Sequence, residues 1–359
     1  MTTRLNTAST VDRASVLVSG GAGFLGSHFV ARWLREADGP MLNLDLLTYA
    51  GRALPARPRD DRYSFEQADV ADPDAVHAVF ARHRPELVVH FAAESHVTRS
   101  ELDAPRFFRT NVEGTRVMLE AAAAVGARRF VHVSTDEVYG PTLGSPFREE
   151  HKEPGEGRAT SPYARSKALA DDVATSFRSE ELEVIVVRPT NCFGPRQYPE
   201  KAFARWVTRA LSGRSVLVWG DGLHVRQWLH AEDLASAIML VLGTPSPEPA
   251  YNVGPRHQPE ITNLRLATWL VDHLDLPRDR VVLTRYERPD HDRRYAVDPA
   301  RIEGLGWHAA DVWERFARTV EWYRKEQSWW RPLVGEAERI YQDEPEGPLE
   351  PSSVQTGAG

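Results

Sequence analysis

Two carboxylic acids stand side by side at Asp136 and Glu137, directly after the strand-like run VHVST. Adjacent acids repel each other and are common in solvated turns. At the carboxyl end of a parallel strand, the same side chains would point into a ligand crevice. If their environments separated their pKa values, one could serve as a general acid and the other as a general base. The rest of the chain has to decide between an acidic turn and a catalytic pair.

Tyr163 and Lys167 form a second candidate pair, four residues apart on a helix that Pro162 is expected to begin. This spacing places both side chains on one helix face. A lysine ammonium beside a phenol is expected to lower the phenol pKa. Tyr163 could then take a proton from an alcohol while hydride leaves for a nicotinamide cofactor. Such pairs also occur by chance on helix surfaces, so the interpretation requires a cofactor site elsewhere.

A glycine-rich segment, VSGGAGFLG, supplies that site because it follows a strand-like run and opens a helix-like one. Gly20, Gly23 and Gly26 allow a tight turn and a close approach of a pyrophosphate to the helix N-terminus. Asp45 ends the next strand-like run, where an acid accepts hydrogen bonds from ribose hydroxyls and repels a 2′-phosphate. The sequence therefore predicts NAD rather than NADP, with Asp69 as a weaker candidate near the adenine.

Short apolar runs alternate with helical patterns through the first half of the chain, which predicts a Rossmann-type doubly wound parallel sheet. After residue 190 the pattern loosens, which indicates a smaller C-terminal substrate-binding lobe. Strands are expected at 15–20, 41–45, 87–93, 130–136, 183–189, 215–219 and 281–286. Helices are expected at 24–36, 73–84, 104–125, 162–178, 231–243, 263–274 and 311–327.

These patterns predict a cofactor domain at 14–190 and a substrate lobe at 191–332, with part of 225–250 packing back on the cofactor domain. Residues 1–13 and the Pro-, Gly- and Ser-rich segment 343–359 are expected to be disordered.

Composition excludes several classes of protein and site. The 359 residues carry a net charge of -7 without a basic block, so neither nucleic acid nor an anionic membrane is an expected partner. The single cysteine, Cys192, excludes an internal disulfide and a cysteine-based zinc site. We expect no signal peptide and no transmembrane helix, and hence a cytoplasmic protein.

The combined motifs resemble the extended short-chain dehydrogenase/reductase superfamily, and STDEVYG in particular resembles the dTDP-glucose 4,6-dehydratase family. The resemblance covers residues 15–332. The segments that carry it, in the family's order, are LVSGGAGFLGSHFV, NLDLLTYAG, AAESHVTRS, TNVEGT, SPYARSKALADD, NCFGPRQYPEK, VRQWLHAEDLA, YNVG, RPDHDRRYAVD and TVEWYRKEQSWWRPL.

The resemblance implies a redox-neutral reaction with catalytic residues Thr135, Asp136, Glu137, Tyr163 and Lys167. It assigns Tyr163 to the sugar 4-hydroxyl, Glu137 to the C5 proton and Asp136 to the C6 hydroxyl. The implied NAD-binding residues are Gly20, Gly23, Phe24, Leu25, Gly26, Asp45, Leu46, Leu47, Thr48, Asp69, Val70, Phe91, Ala92, Ala93, Ser95, Thr110, Tyr163, Lys167 and Cys192. The implied nucleotide-sugar-binding residues are Ser95, Thr135, Asn191, Lys201, Leu217, Trp219, Arg226, Asn252, Arg288 and His291. It further implies a homodimer formed through the helices at 104–125 and 162–178.

The sequence departs from the family pattern mainly around the two ligand pockets. The departures are Leu46, Thr98, Cys192, Leu217, Trp219 and Asp290. Thymidine is the expected base, while uridine or another base stays open. Two other functions also stay open. A nucleotide-sugar 4-epimerase or decarboxylase would share the cofactor and Tyr–Lys motifs but would not need the paired acids. A non-enzymatic NAD-binding scaffold would be expected to have lost catalytic groups that survive here.

Overall fold

The computed structural model describes residues 13–51, 60–153, 155–285 and 292–341. The expected disordered ends therefore lie outside the described residues, apart from Arg13. The strands are β1 Val16–Ser19, β2 Met41–Asp45, β3 Tyr63–Gln67, β4 Leu87–His90, β5 Arg129–Val133, β6 Glu183–Pro189, β7 Asn191–Phe193, β8 Val216–Trp219, β9 Trp228–His230, β10 Ala250–Val253 and β11 Val281–Thr284.

The helices match most of the expected ranges to within two residues. They are α1 Phe24–Glu36, α2 Pro73–His83, α3 Val97–Leu102, α4 Ala104–Phe108, α5 Gly114–Val125, α6 Pro162–Ser176, α7 Ala202–Leu211, α8 Ala231–Gly243, α9 Asn263–His273, α10 Ala300–Glu303, α11 Val312–Lys325 and α12 Gln327–Glu338.

In the described part of the chain, seven strands form one parallel sheet in the order β10-β6-β5-β4-β1-β2-β3. Both of its faces are covered. Val16 and Val18 of β1 pack with α1 and α8 on one face, whereas Leu17 packs with α2 and α5 on the other. Strands buried on both faces require continuous apolar runs, and this is the pattern that the sequence shows. The predicted doubly wound fold is confirmed.

Two elements beyond residue 190 pack with the first half of the chain. α8 packs against α1 of the first half, and β10 forms the edge strand of the large sheet beside β6. The remaining lobe contains the pairs β8–β11 and β7–β9 with α7, α9, α11 and α12. The rings of Phe193 and Phe316 stack in its core with centroids 4.0 Å apart.

The single helix expected over 104–125 is interrupted by a π turn at Arg109–Glu113. The buried amide of Asn111 lies within this turn. Its Oδ1 accepts from the Glu94 backbone N–H at 2.9 Å, and its Nδ2 donates to Ser166 Oγ at 2.9 Å. A π turn inserts one extra residue into a helix and re-aims the side chains around it. Here the turn presents Arg109 and Thr110 to a deep cavity.

Candidate active site

A cavity of about 530 Å³ opens at the carboxyl ends of the central strands, between the sheet and the C-terminal lobe. In doubly wound folds this is the edge at which ligands bind. The predicted residues on its wall are Gly20, Gly23, Phe24, Leu25, Gly26, Asp45, Leu46, Thr48, Asp69, Val70, Phe91, Ala92, Ala93, Ser95, Thr110, Thr135, Asp136, Glu137, Tyr163, Lys167, Asn191, Cys192 and Lys201. The structure therefore brings the glycine turn, the acid pair and the Tyr–Lys pair to one space.

The glycine turn leaves room for a pyrophosphate at the N-terminus of α1. Gly20 has φ +71°, and a Cβ there would lie 2.6 Å from the Ala92 nitrogen. A Cβ on Gly26 would lie 2.2 Å from the Gly20 carbonyl oxygen. Any larger residue would therefore clash with backbone. The resulting close approach of chain and helix is the arrangement that binds dinucleotide phosphates through backbone N–H groups.

Asp45 ends β2 on the same wall and is 8% exposed. Its Oδ2 accepts from the Ala22 N–H at 2.9 Å and its Oδ1 from the Leu47 N–H at 2.8 Å. Burial raises the pKa of this carboxyl, while the two backbone hydrogen bonds lower it. Each oxygen retains acceptor capacity toward the cavity, so the carboxylate fits ribose hydroxyls and would repel a 2′-phosphate. The residues present thus fit NAD.

One of the predicted NAD-binding residues does not line the cavity. Leu47, predicted to bind the cofactor, is not among the lining residues and contributes its backbone N–H to Asp45 instead. Leu46 lines the cavity and is 45% exposed. Asp69 is on the wall, where its carboxylate pairs with Arg109 at 2.7 Å. Arg109 also lines the cavity, so the adenine end carries a cation that the sequence analysis missed.

The two acids follow β5 in a tight helical turn, Asp136–Tyr139, which Thr135 caps. Thr135 Oγ1 accepts from the Glu137 N–H at 3.3 Å and approaches Asp136 Oδ1 at 3.4 Å. Asp136 is 2% exposed, whereas Glu137 is half-buried. The turn is therefore not a solvated acidic loop, because one of the acids is enclosed by protein.

Burial and the neighbouring charge of Glu137 together raise the pKa of Asp136 to about 8, with the charge of Arg226 opposing them. A carboxyl with this pKa is protonated at neutral pH and can donate a proton. The environments of Asp136 and Glu137 thus differ in the direction that an acid and a base require.

Tyr163 and Lys167 both lie on the cavity side of α6, whose N-terminus is capped by Ser161 with Pro162 in the first turn. Lys167 Nζ donates to the Val133 carbonyl at 2.9 Å. The expected low phenol pKa is wrong for this state of the site. Burial and the charge of Glu137 raise the pKa of Tyr163, and the Thr135 hydroxyl opposes them. The sequence showed the lysine and the two acids but could not show the burial of the phenol, which is the largest cause of its raised pKa.

Lys201 spans the cavity mouth. Its Nζ donates to the Ser95 carbonyl at 2.6 Å, which joins the lobe to the segment after β4. Asn191 and Cys192 lie on β7 beside it. Burial raises the pKa of the Cys192 thiol above its ordinary range, and nearby Asp136 adds to this rise. A neutral thiol here lines the cavity as a small apolar group.

Four predicted substrate residues are not on the described wall of the cavity. Arg226 donates to the carbonyls of Val225 and Asp292, each at 2.8 Å, instead of pointing to a diphosphate. Its charge instead lowers the pKa of Asp136. Asn252 is fully buried. Its Oδ1 accepts from the Tyr139 hydroxyl at 2.7 Å, and its Nδ2 donates to the Phe147 carbonyl at 3.0 Å.

Leu217 is 2% exposed beneath α7, and the Trp219 ring lies 5.9 Å from that of Tyr341. Both side chains are therefore engaged within the lobe rather than on the cavity wall. Arg288 and His291 lie outside the described residues.

A polar cluster at the cavity mouth was missed by the sequence analysis. The Tyr49 hydroxyl donates to Glu200 at 2.8 Å, and Arg99 pairs with the same carboxylate at 2.9 Å. Tyr341, beyond the expected end of the lobe, donates to the Glu200 carbonyl at 2.7 Å. In the sequence, this cluster was indicated only by Glu200, the acid beside Lys201 in the segment QYPEK. Other lining residues missed include Glu94, Arg106, Gln197, Tyr198 and Trp228.

Among the described residues, no group of His, Cys, Asp and Glu side chains is placed to hold a metal ion. In the same part of the chain, none of the helices has the length and apolar character needed to cross a membrane.

Comparison with known proteins agrees with this fold and site. The model of the NAD dependent epimerase/dehydratase family matches residues 16–254, and the chain belongs to that family. A dTDP-glucose 4,6-dehydratase from Streptomyces niveus is 41% identical over 328 residues, covering 89% of this chain and 95% of that protein. The Escherichia coli dTDP-glucose 4,6-dehydratase is 35% identical, with 89% of this chain and 96% of that protein covered.

Solved structures show the same relationship. A dTDP-glucose 4,6-dehydratase from Streptomyces venezuelae with NAD bound has a TM-score of 0.82 at 39% identity, covering 89% of this chain and 99% of that chain. The Thermotoga maritima UDP-glucose 4-epimerase with UDP-glucose scores 0.79 at 27% identity, covering 87% and 99% of the two chains. The fold is thus shared by dehydratases and epimerases, so the site residues must distinguish between the two activities.

Proposed function

We infer that this protein is a dTDP-glucose 4,6-dehydratase, a hydro-lyase that converts dTDP-glucose to dTDP-4-keto-6-deoxy-glucose and water. One observation carries the choice over an epimerase. The buried Asp136 and the half-buried Glu137 share a cavity with Tyr163 and with a turn that fits NAD. An epimerase has no elimination to catalyse and so no use for an acid and a base beside the tyrosine. The relatives from Streptomyces niveus and Escherichia coli also bear the dehydratase name.

NAD, when bound, would supply the acceptor for the C4 hydride and the source of the hydride that is delivered to C6. The chain would hold it with the Gly20–Gly26 turn, Asp45 and the wall beside Asp69. Tyr163 removes the proton of the 4-hydroxyl, and Thr135 hydrogen-bonds the oxygen at C4. Lys167 supplies the cation that stabilises the phenolate, an effect needed here because burial and Glu137 raise the phenol pKa.

The elimination uses the two acids in opposite protonation states. Once C4 is a ketone, the C5 proton is acidic, and Glu137 removes it. Asp136, protonated at neutral pH, donates to the departing C6 hydroxyl. C5 regains a proton when the hydride returns to C6. Mutual repulsion helps to maintain this division, because ionisation of both adjacent carboxyls is unfavourable.

Product analysis with dTDP-, UDP- and GDP-glucose tests this function and the base preference together. We expect a 4-keto-6-deoxy product, formed fastest from dTDP-glucose. A 4-epimer in place of the keto product would identify an epimerase. No conversion of any of the three substrates would favour the NAD-binding scaffold.

The reaction also predicts how the protein is isolated. Because hydride is returned within each cycle, release of the cofactor gains nothing, so purified protein should carry about one NAD per chain. Heat denaturation followed by nucleotide analysis measures this ratio. Recovery of NADP, or of protein that is strictly dependent on added cofactor, would contradict the assignment of Asp45.

The rate of dehydration should fall at alkaline pH. Burial lowers the pKa of Lys167 to about 8 and raises that of Asp136 to about 8. Both groups act in the protonated form, so dehydration should decline as pH rises through about 8. A profile of kcat measured below and above that pH, on protein shown to stay folded, checks the expectation. A rate that stays level well above it would contradict both protonation states.

We further infer a homodimer in the cytoplasm. The family resemblance implies pairing through α5 and α6, and the single cysteine suits a reducing compartment. Sedimentation velocity should give twice the chain mass of 40.4 kDa, whereas a monomer would contradict the pairing.

A further inference from the structure

A buried ionic cluster lies behind the Tyr–Lys pair, and apart from Lys167 its members have no part in the mechanism above. Lys167 is 2% exposed and Asp171, one turn later on α6, is 1% exposed. Residues four apart lie on one helix face, so both side chains point toward β5 and β6. An acid enclosed to this degree requires compensating partners, because an unpaired buried charge is strongly unfavourable.

His132 of β5 stands between these two charges. Its Nε2 lies 3.4 Å from Lys167 Nζ and 3.5 Å from the Asp171 carboxylate. Lys167 Nζ also donates to the Val133 carbonyl at 2.9 Å. The ammonium therefore lies against two consecutive residues of one strand, and the Asp171 carboxylate approaches the same nitrogen of His132 as the ammonium does.

Arg188 of β6 fixes the other side of Asp171. Its Nε donates to Asp171 Oδ2 at 2.8 Å, and its Nη1 donates to the Tyr139 hydroxyl at 2.7 Å and to the Glu149 carbonyl at 3.2 Å. Asp171 is thus anchored to the sheet by one oxygen, and its second oxygen faces His132.

The charges of the cluster favour a protonated lysine. Burial lowers the pKa of Lys167, and Asp171 is the group that raises it. Burial and the charge of Lys167 lower the pKa of His132 to about 4, so the imidazole is neutral. Burial opposes ionisation of Asp171, but Arg188 and His132 lower its pKa below the usual range. The groups facing the cluster are His90 on β4, His132 on β5, Arg188 on β6, and Tyr139 in the turn after β5.

We propose that Asp171 is a positioning residue: its negative charge, beside His132, holds the Lys167 ammonium on the cavity side of α6 with Tyr163, and Arg188 holds Asp171 in place. This inference rests on the dehydratase chemistry proposed above. Asp171 itself does not line the cavity, so it acts on the first proton transfer only through Lys167.

The test is the pH dependence of NADH formation in a single turnover with dTDP-glucose, a step that does not use Asp136 or Glu137. An opposite charge near an ionisable group moves the pKa of that group by about 1–3 units. Asp171→Asn should therefore lower the pKa of Lys167, and the alkaline limb of the profile, where the rate of NADH formation falls as pH rises, should shift to lower pH by about that amount. Substrate affinity should change little. The matched control is Asp172→Asn, since this next residue of α6 faces outward and pairs with Lys152 at 3.0 Å. Its alkaline limb should stay in place.

Asp171→Asn leaves the buried Arg188 without its carboxylate, so the variant could fail to fold. The double variant Asp171→Asn/Arg188→Met removes both charges and decides the question in either case. If the limb is shifted in the double variant, Asp171 acts on Lys167. If the double variant has the wild-type limb, or if NADH formation only falls uniformly at all pH values, Asp171 merely neutralises Arg188 and the proposal is overturned. Absence of NADH formation in the wild type would instead refute the proposed function.

Discussion

Glu137→Gln is expected to leave bound NAD reducible by dTDP-glucose while dehydration falls by about 10²–10⁴-fold, the usual loss for a positioned base. Glutamine keeps the size of the side chain but cannot take the C5 proton. The sugar should stall as its 4-ketone, so NADH absorbance rises and persists. Exchange of the C5 hydrogen with deuterated water, followed by mass spectrometry, should nearly stop.

Asp136→Asn should also accumulate NADH and lose dehydration by about 10²–10⁴-fold, but for a different reason. Asparagine cannot protonate the departing C6 hydroxyl, whereas Glu137 can still remove the C5 proton. Exchange at C5 should therefore continue while water loss fails. This difference between the two variants separates the acid from the base.

A surface acid provides the control for both variants. Glu113→Gln alters a carboxylate whose side chain is 54% exposed and pairs with Arg116. It should dehydrate at the wild-type rate. If the acid variants form no NADH, or dehydrate normally, the pair does not perform the elimination.

Tyr163→Phe should block the reaction one step earlier. The ring is kept, but no phenolate can take the 4-hydroxyl proton, so NADH formation itself should fall by about 10²–10⁴-fold. Stopped-flow absorbance after mixing with dTDP-glucose measures this step. Binding of the nucleotide-sugar, measured by calorimetry, should change little because the removed hydroxyl is a single contact.

Tyr63→Phe is the matched control. Tyr63 lies on β3 and does not line the cavity. Its hydroxyl accepts a hydrogen bond from the Asn43 side-chain amide at 2.9 Å. NADH should form at the wild-type rate in this variant. A Tyr163→Phe enzyme that reduced NAD as fast as the control would assign the first proton transfer to another group.

Much of this molecule could be predicted from short-range patterns. The expected bounds of β2, β6, α1 and α8 agree with those observed, because each is a continuous apolar run or a helical repeat. The glycine turn, Asp45, the acid pair and the Tyr–Lys pair also follow from strand ends and helix spacing. The topology of a parallel sheet then brings them to one edge.

The C-terminal lobe could not be predicted at the same level. Arg226 and Asn252 were expected to face the substrate, but carbonyls and hydroxyls distant in the sequence occupy them. Tyr341 reaches the cavity mouth from beyond the expected end of the lobe. Local sequence patterns indicate which side chains can form hydrogen bonds, but they do not indicate which hydrogen-bond partner the folded chain brings to each of them.

The sequence by itself determined the order of strands and helices, the cofactor turn and the chemical types at the site, since these depend on neighbours within a few residues. Only the tertiary structure decided protonation and burial. Asp136 is a neutral acid, and Asp171 lies behind Lys167, because β5, β6 and α6 enclose them together. A pKa depends on solvent exclusion and on charges within a few ångströms, and these are set by contacts between residues far apart in the chain.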